Sequence, residues 1–371
     1  MKEIQTEKIQ AYLEELVKKE HVPSVDLLIQ RDHQELFRYT TGKGVTEHTK
    51  YLMFSMTKIQ TMTCMMQLLE KNQISLEDEV GDYLPAYRNL MKETEDGKVV
   101  PIEEPLKIWH LLSMQSGLDY DLERPGILRV LKEKGASATT RDLVDAFVES
   151  PLKFQPGTHF CYSLSHDVAA AVLEVVTGVS FSEYLKKNIW EPLEMENTFF
   201  AKPENDGVAD LAQQYMVNEQ GKIVPMEQTC NYQLSERYES GGAGLISCTA
   251  DYGKIADTLA CGGVSAKGVR ILQSDTVERI KKNRLGPDSL VDLANTMGRK
   301  GYGYGCGMQV LMNPEMIGAK APAGVFGWDG AAGSCTIMDT KTKTSLVYVQ
   351  HVRNMGYSYD VIHPTLRDMV F

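Results

Sequence analysis

Ser55 and Lys58 stand three residues apart in the stretch "YLMFSMTKIQTMTCMMQLLEKNQISLEDEV", at the head of an apolar-periodic run. Residues three apart share one face of a helix, so the Lys58 amine can lie beside the Ser55 hydroxyl. A lysine withdrawn from water gives up its proton readily and can then take one from a serine. Free backbone N–H groups at a helix start favour an oxyanion forming there. The plain alternative is a serine that caps a helix, with a coincidental lysine one turn on. The tetrapeptide alone does not decide between the two.

Two further segments could join it. In "FQPGTHFCYSLSHDVAAAVLEVVTG", Pro156-Gly157 makes a turn and Tyr162-Ser163 precedes a helix that runs to Gly178. In "GVFGWDGAAGSCTIMD", Trp328-Asp329-Gly330 ends one strand and Gly333 opens the next. Taken singly, these are a core aromatic at a helix start and a Gly-rich hairpin. Taken together with Ser55-x-x-Lys58, in this order, they give a sequence that resembles the class C β-lactamase and serine esterase family, which also includes D-amino-acid peptidases. The segments "PLKIWHLLSMQSGLDYD", "GDYLPAY", "NIWEPLEMENTFF" and "GGAGLISCTADYGKIA" resemble further landmarks of that family, and the likeness spans roughly residues 20 to 350.

The resemblance implies a covalent serine hydrolase. Ser55 would be the nucleophile, and Lys58 and Tyr162 jointly the general base and later the acid. The backbone N–H groups of Ser55 and Ala331 would form the oxyanion hole. Leu164, Trp328, Asp329 and Gly330 would border the substrate cleft. It implies no metal and no organic cofactor, and the eight histidines, with no H-E-x-x-H, give metal catalysis no support.

Departures from the family pattern bear on the substrate. The second motif commonly reads Tyr-x-Asn, but here it is Tyr162-Ser163-Leu164, and leucine offers no hydrogen bond. The third is Lys-Thr-Gly in β-lactamases and often His-x-Gly in peptidases, whereas Trp328-Asp329-Gly330 holds no cation. Asp329 is expected to repel a substrate carboxylate by about 1 kcal/mol or more in a partly buried cleft. A turn residue bonding its own backbone is the simpler reading of it. His166 reads as a capping or surface histidine. The expected activity is a carboxylesterase-type hydrolysis of small neutral esters or amides. The alternatives are a β-lactamase or D-amino-acid peptidase, a cationic substrate paired to Asp329, and a catalytically weak sensor or scaffold.

These residues need elements to hold them. The expected fold is α+β and β-lactamase/transpeptidase-like. Residues 1–60 and 240–371 would form a discontinuous domain with an antiparallel sheet and terminal helices, and residues 61–239 an inserted, mainly helical domain, with the site in the cleft between them. Ile4, Ile9, Tyr12, Leu13, Leu16 and Val17 predict an N-terminal helix, and "VDLLIQRD" and "ELFRYTTGKG" two strands joined by a short polar turn. Helices are predicted over 56–71, 107–113, 141–149, 165–177, 181–190 and 360–370, with another after "GGAGLIS" capped by Ser247 or Thr249. "YGYGCGMQVL", "GVFGWD", "SCTIMDT" and "TSLVYVQHV" read as strands. The run "GYGYGCG" lacks the third glycine of a dinucleotide fingerprint and is expected to lead tightly into its strand.

Composition bounds the partners. The 371 residues are 43% hydrophobic and 24% charged, with a net charge of −11 that argues against nucleic acid or an anionic membrane. Seven scattered cysteines without C-x-x-C fit reduced thiols, and a cytoplasmic location is expected. The partner is a small-molecule ester or amide, and the sequence sets no oligomeric state.

Overall fold

The computed structural model describes residues 4–201, 211–227 and 232–371; Cys230 lies outside them. Seven antiparallel strands form the main sheet. They are β1 (Ser24–Arg31), β2 (Gln34–Gly42), β3 (Tyr302–Tyr304), β4 (Gln309–Leu311), β5 (Phe326–Asp329), β6 (Cys335–Asp339) and β7 (Thr344–Val349), in the order β3-β4-β5-β6-β7-β1-β2. The two ends of the chain therefore meet inside the sheet, where β1 pairs with β7 in the register Asp26↔Val349 to Arg31↔Thr344. β1 is buried without a break from Ser24 to Ile29, Asp26 included, because it is flanked by a strand on each side and both its faces are covered. The β1–β2 turn is two residues long, Asp32 and His33, with φ of +47° and +69°, as a type I′ hairpin requires.

Helix α1 (Thr6–Lys18) lays Ile9, Leu13 and Leu16 on one face of this sheet. They share a buried cluster with Val25, Leu27, Ile29, Leu346 and the C-terminal residues Leu366 and Val370. The larger cluster contains α2 (Thr57–Glu70), α3 (Ser165–Thr177) and the short helices Ile108–Leu112, Thr140–Ala146 and Phe181–Leu185. Met53, Met56, Met62, Met65 and Met66 are all fully buried in it. α4 (Thr249–Ala260) lies against β1 at Gly253, where a Cβ would come within 2.4 Å of Leu28 Cδ2. The C-terminal helix is α5 (His363–Val370). The architecture is α+β, with an antiparallel sheet, terminal helices and a helix-rich stretch between the two sheet-forming ends. Among the described residues no single helix is long and apolar enough to cross a membrane.

Three local expectations need correcting. "YGYGCGMQVL" is a hairpin and not one strand: Tyr304 pairs with Gln309 across the turn, Gly305 leaves no room for a Cβ beside the Ile280 carbonyl, and Gly307 has φ +72°. Neither Ser247 nor Thr249 caps α4, whose N-cap is Cys248. The Thr249 hydroxyl donates to Asp26 at 2.8 Å and the Ser247 hydroxyl pairs with Thr198 at 2.8 Å. The helices Pro125–Lys134, Ser274–Lys281 and Pro287–Met297 were not anticipated. The first carries its own signals, Pro125 at the start and Gly135 at the end.

Candidate active site

A single 3-10 turn, Phe54–Met56, feeds directly into α2. Phe54 has φ +48°, a left-handed conformation costly for a bulky residue. Its ring is fully buried among Leu52, Ile246 and Ala332, with Tyr232 edge-on at 5.9 Å, and this packing offsets the strain. Ser55 does not cap the helix: no side chain caps this start. Its hydroxyl instead accepts from Lys58 Nζ at 3.3 Å.

Lys58 is completely buried. Besides Ser55, its ammonium donates to the Tyr120 hydroxyl at 3.0 Å and to the Gly242 carbonyl at 2.8 Å. It sits 4.6 Å from the centre of the Tyr162 ring. Burial pulls its pKa down to about 7, while the negative charges of Asp167 and Asp329 act in the opposite direction. An appreciable fraction of this amine is therefore neutral near pH 7.

Tyr162 stands just before α3, stacked on Tyr120 with ring centres 5.5 Å apart. Its hydroxyl accepts from the Trp328 indole N–H at 3.0 Å. Burial pushes the phenol well above its ordinary range, and the nearby Ser55 hydroxyl and the Trp328 N–H work against that rise.

Trp328 and Asp329 are neighbours on β5, so their side chains point to opposite faces of the sheet. Gly330, next along, would place a Cβ 2.5 Å from the Met53 carbonyl. Its missing side chain lets the strand end abut the residue that leads into the Ser55 turn. The following turn closes with Gly330 N–H to Ser334 O (2.8 Å) and Gly333 N–H to Gly330 O (2.9 Å), bonds in which the Ala331 N–H takes no part. Ala331 packs at the edge of the same cluster as Phe54.

A profile described as Beta-lactamase matches residues 9–358. The chain belongs to the beta-lactamase family. It is thus a serine hydrolase of that family. Esterase EstB of Burkholderia gladioli is 27% identical over 364 residues, covering 93% of this chain and 88% of the esterase. A putative D-alanyl-D-alanine carboxypeptidase of Escherichia coli (strain K12) is 23% identical over 365 residues, covering 89% and 78%. Among solved structures, EstCE1, a hydrolase with promiscuous acyltransferase activity, superposes with a TM-score of 0.79 at 23% identity, covering 98% of this chain and 97% of that one. The octameric penicillin-binding protein homologue from Pyrococcus abyssi gives 0.73 at 20%, covering 98% and 78%. The fold is the β-lactamase/transpeptidase-like one.

Against this family background, three expectations change. Leu164 is 3% exposed, packed in the main core at the start of α3, with its N–H donating to the Asp119 carbonyl. It is a core residue and not an exposed wall of the cleft. Asp329 forms a buried ion pair with Arg299 and borders a cavity of about 30 Å³ together with His363 and Arg367 of α5. Its charge is matched, so the expected repulsion of a substrate carboxylate has no basis. His166 is neither a cap nor at the surface: it is fully buried, with its ring against Gly307, where a Cβ would meet Cε1 at 2.7 Å. Both ring nitrogens face carbonyls, of Leu112 and Lys58, without closing a hydrogen bond of ordinary geometry. Burial lowers its pKa to about 3, and the Lys58 charge acts in the same direction.

The sequence reading missed Tyr120, Gly242, Asp167 and Arg299. Tyr120, Gly242 and Asp167 lie inside segments singled out for their likeness but were given no role. Asp167 is fully buried, and its Oδ1 accepts from the Tyr238 hydroxyl at 2.7 Å and the Ser240 hydroxyl at 2.6 Å. A Cβ on Gly242 would lie 2.6 Å from Asp167 Oδ2, 3.0 Å from the Tyr120 oxygen and 3.3 Å from Lys58 Nζ. Only glycine fits there. A carboxylate in the first turn of a helix ordinarily answers the helix dipole, so nothing in the sequence marked Asp167 as part of the site.

Proposed function

We propose that this protein is a carboxylesterase-type hydrolase that passes the acyl group of a small neutral ester through Ser55. The observation that carries the reading is Lys58: fully buried, 3.3 Å from the Ser55 oxygen, and bonded only to neutral oxygens. In its neutral form it has a lone pair to receive the Ser55 proton. With its phenol pushed upward, Tyr162 begins protonated and acts as the acid that delivers a proton to the leaving alcohol. Ser55 Oγ bonds to the acyl carbon, and the tetrahedral oxyanion is held by the N–H groups of Ser55 and Ala331. One such donor contributes on the order of 10²–10³ in turnover. The C–O bond to the alcohol then breaks, and water, deprotonated by the same groups, releases the acid and restores Ser55.

The preference for neutral acyl groups rests on what surrounds this centre. Tyr120, Tyr162, Tyr232 and Phe54 form a linked set of rings beside it. Arg299 has its charge committed to Asp329 and is not offered to a substrate carboxylate. The names of the relatives fit the same chemistry, since esterase, carboxypeptidase and acyltransferase activities all act at an acyl carbon. The six described free cysteines fit a reducing compartment, and a cytoplasmic location belongs to the same proposal.

A fluorophosphonate probe followed by intact mass should add one label to the wild type and none to Ser55→Ala. Unlabelled wild type would favour a scaffold that keeps the fold without the chemistry. Short p-nitrophenyl esters should turn over faster than nitrocefin; the reverse order would make a β-lactamase the better description.

A further inference from the structure

Away from Ser55, at the far edge of the sheet, three residues with metal-ligating side chains meet. One ligand atom each from Asp32, His33 and Cys261 lies within 4.8 Å of the other two. Asp32 and His33 are the two residues of the β1–β2 turn, and Cys261 is the C-cap of α4. We propose that these three side chains bind a thiophilic divalent ion of the zinc class, which staples the hairpin turn to the end of the helix.

Several features support a built site. Asp257, buried on the last turn of α4, holds both neighbours. Its Oδ2 is 2.7 Å from His33 Nδ1, its Oδ1 accepts the His33 backbone N–H at 3.2 Å, and the Cys261 thiol donates to Oδ1 at 3.7 Å. A carboxylate on a ring nitrogen orients an imidazole and raises its basicity as a ligand. Lys343 donates to Asp32 Oδ1 at 2.8 Å, an exposed pair that the ion has to displace. The carbonyls at the C-terminal end of α4 carry partial negative charge and favour a cation beside Cys261. A mixed sulfur, nitrogen and oxygen set selects zinc or its cobalt surrogate over magnesium and calcium.

Binding breaks the Cys261 S–H bond, forms a metal–sulfur bond and releases one proton to solvent. The apparent affinity therefore rises with pH, by about tenfold per unit for that one proton.

The test titrates Co²⁺ into the full chain after treatment with EDTA. One equivalent should produce a thiolate-to-cobalt charge-transfer band that Zn²⁺ displaces, and saturating Zn²⁺ should raise the melting temperature by several degrees. Cys261→Ser should lose the band. His33→Asn, which tolerates the left-handed turn, should weaken binding by about tenfold or more. Fluorophosphonate labelling of Ser55 shows that each variant is folded without reference to the metal. No band in the wild type, or an undiminished band in Cys261→Ser, would overturn the proposal.

Discussion

Lys58 and Arg299 are both cations withdrawn from water near Ser55, yet only Arg299 has a carboxylate in contact. Lys58 donates to a serine hydroxyl, a tyrosine hydroxyl and a backbone carbonyl, and the nearest carboxylates act on it from beyond ion-pair distance. Arg299 is paired to Asp329 with both side chains close to fully buried. Neutral oxygens solvate an ammonium well enough to bury it but do not lock its charge in place, so its pKa falls to about 7. A guanidinium against a carboxylate stays charged at every relevant pH. The same burial thus yields a group that exchanges its proton in one place and a fixed structural link in the other. What distinguishes them is the basicity of the cation itself, reinforced by the identity of the contacting oxygen.

The sharpest way to break this comparison is to make the first cation resemble the second. Lys58→Arg keeps a positive charge in the site but removes the ability to lose it, because arginine does not deprotonate in proteins. If Lys58 is the base, turnover should fall by about 10³-fold, within the range for loss of a general base, while fluorophosphonate labelling slows in parallel. Turnover retained within tenfold would mean that the positive charge alone suffices. The wild type should show the matching pH dependence. Lys58 takes up a proton as pH drops through about 7, so the rate of acylation should decline on the acid side of that value and level off above it. A profile flat from pH 6 to 8 would contradict the assignment.

The next perturbation unpairs the second cation. Asp329→Asn leaves Arg299 buried without its counter-charge, which should cost about 3 kcal/mol of stability, at the low end for a broken buried pair. Chemical denaturation measures this directly. Because Asp329 borders the small cavity beside α5 and Trp328 points the other way, the ratio of rates on neutral and carboxylate-bearing esters should not move. A shift of tenfold in that ratio would return Asp329 to the substrate cleft.

Much of this arrangement is legible in the sequence, for reasons that differ by residue. Ser55 and Lys58 carry a spacing that lets them meet, but the spacing alone leaves a helix cap equally open; their roles, and that of Tyr162, are legible only through the resemblance of the three motifs taken together. β1 and β2 are readable because the burial of β1 and a polar two-residue turn both leave local marks. Asp329 was misread because its partner, Arg299, sits on another segment that no local pattern connects to it. His166 was misread for a related reason. A polar residue in the first turn of α3 reads as capping or exposed unless one knows that the β3–β4 turn, with Gly307, lies over it. Gly242 escaped notice because the need for glycine comes from three side chains, Asp167, Tyr120 and Lys58, contributed by three different elements. Local periodicity reports burial and spacing, whereas the pairing of charges across elements is settled only by the fold.

The smallest expected effect tests whether the third motif reaches the chemistry through Trp328. Its indole N–H donates to the Tyr162 oxygen at 3.0 Å, and its ring is held edge-on against Tyr304 with centres 5.0 Å apart. A donor to that oxygen stabilises the phenolate more than the phenol, so removing it makes Tyr162 a weaker acid. Trp328→Phe deletes the N–H and keeps an aromatic ring in the same buried place. A hydrogen bond of this kind is worth about 1–1.5 kcal/mol, so kcat should fall by about tenfold. KM should change little, because the lost interaction does not touch the bound ester. Stability will also drop from the smaller ring, which makes the split between kcat and KM, and not activity alone, the deciding measurement. If Tyr162→Phe depresses kcat strongly while Trp328→Phe does not, the tryptophan serves packing only, and the strand end contributes to catalysis solely through the Ala331 amide.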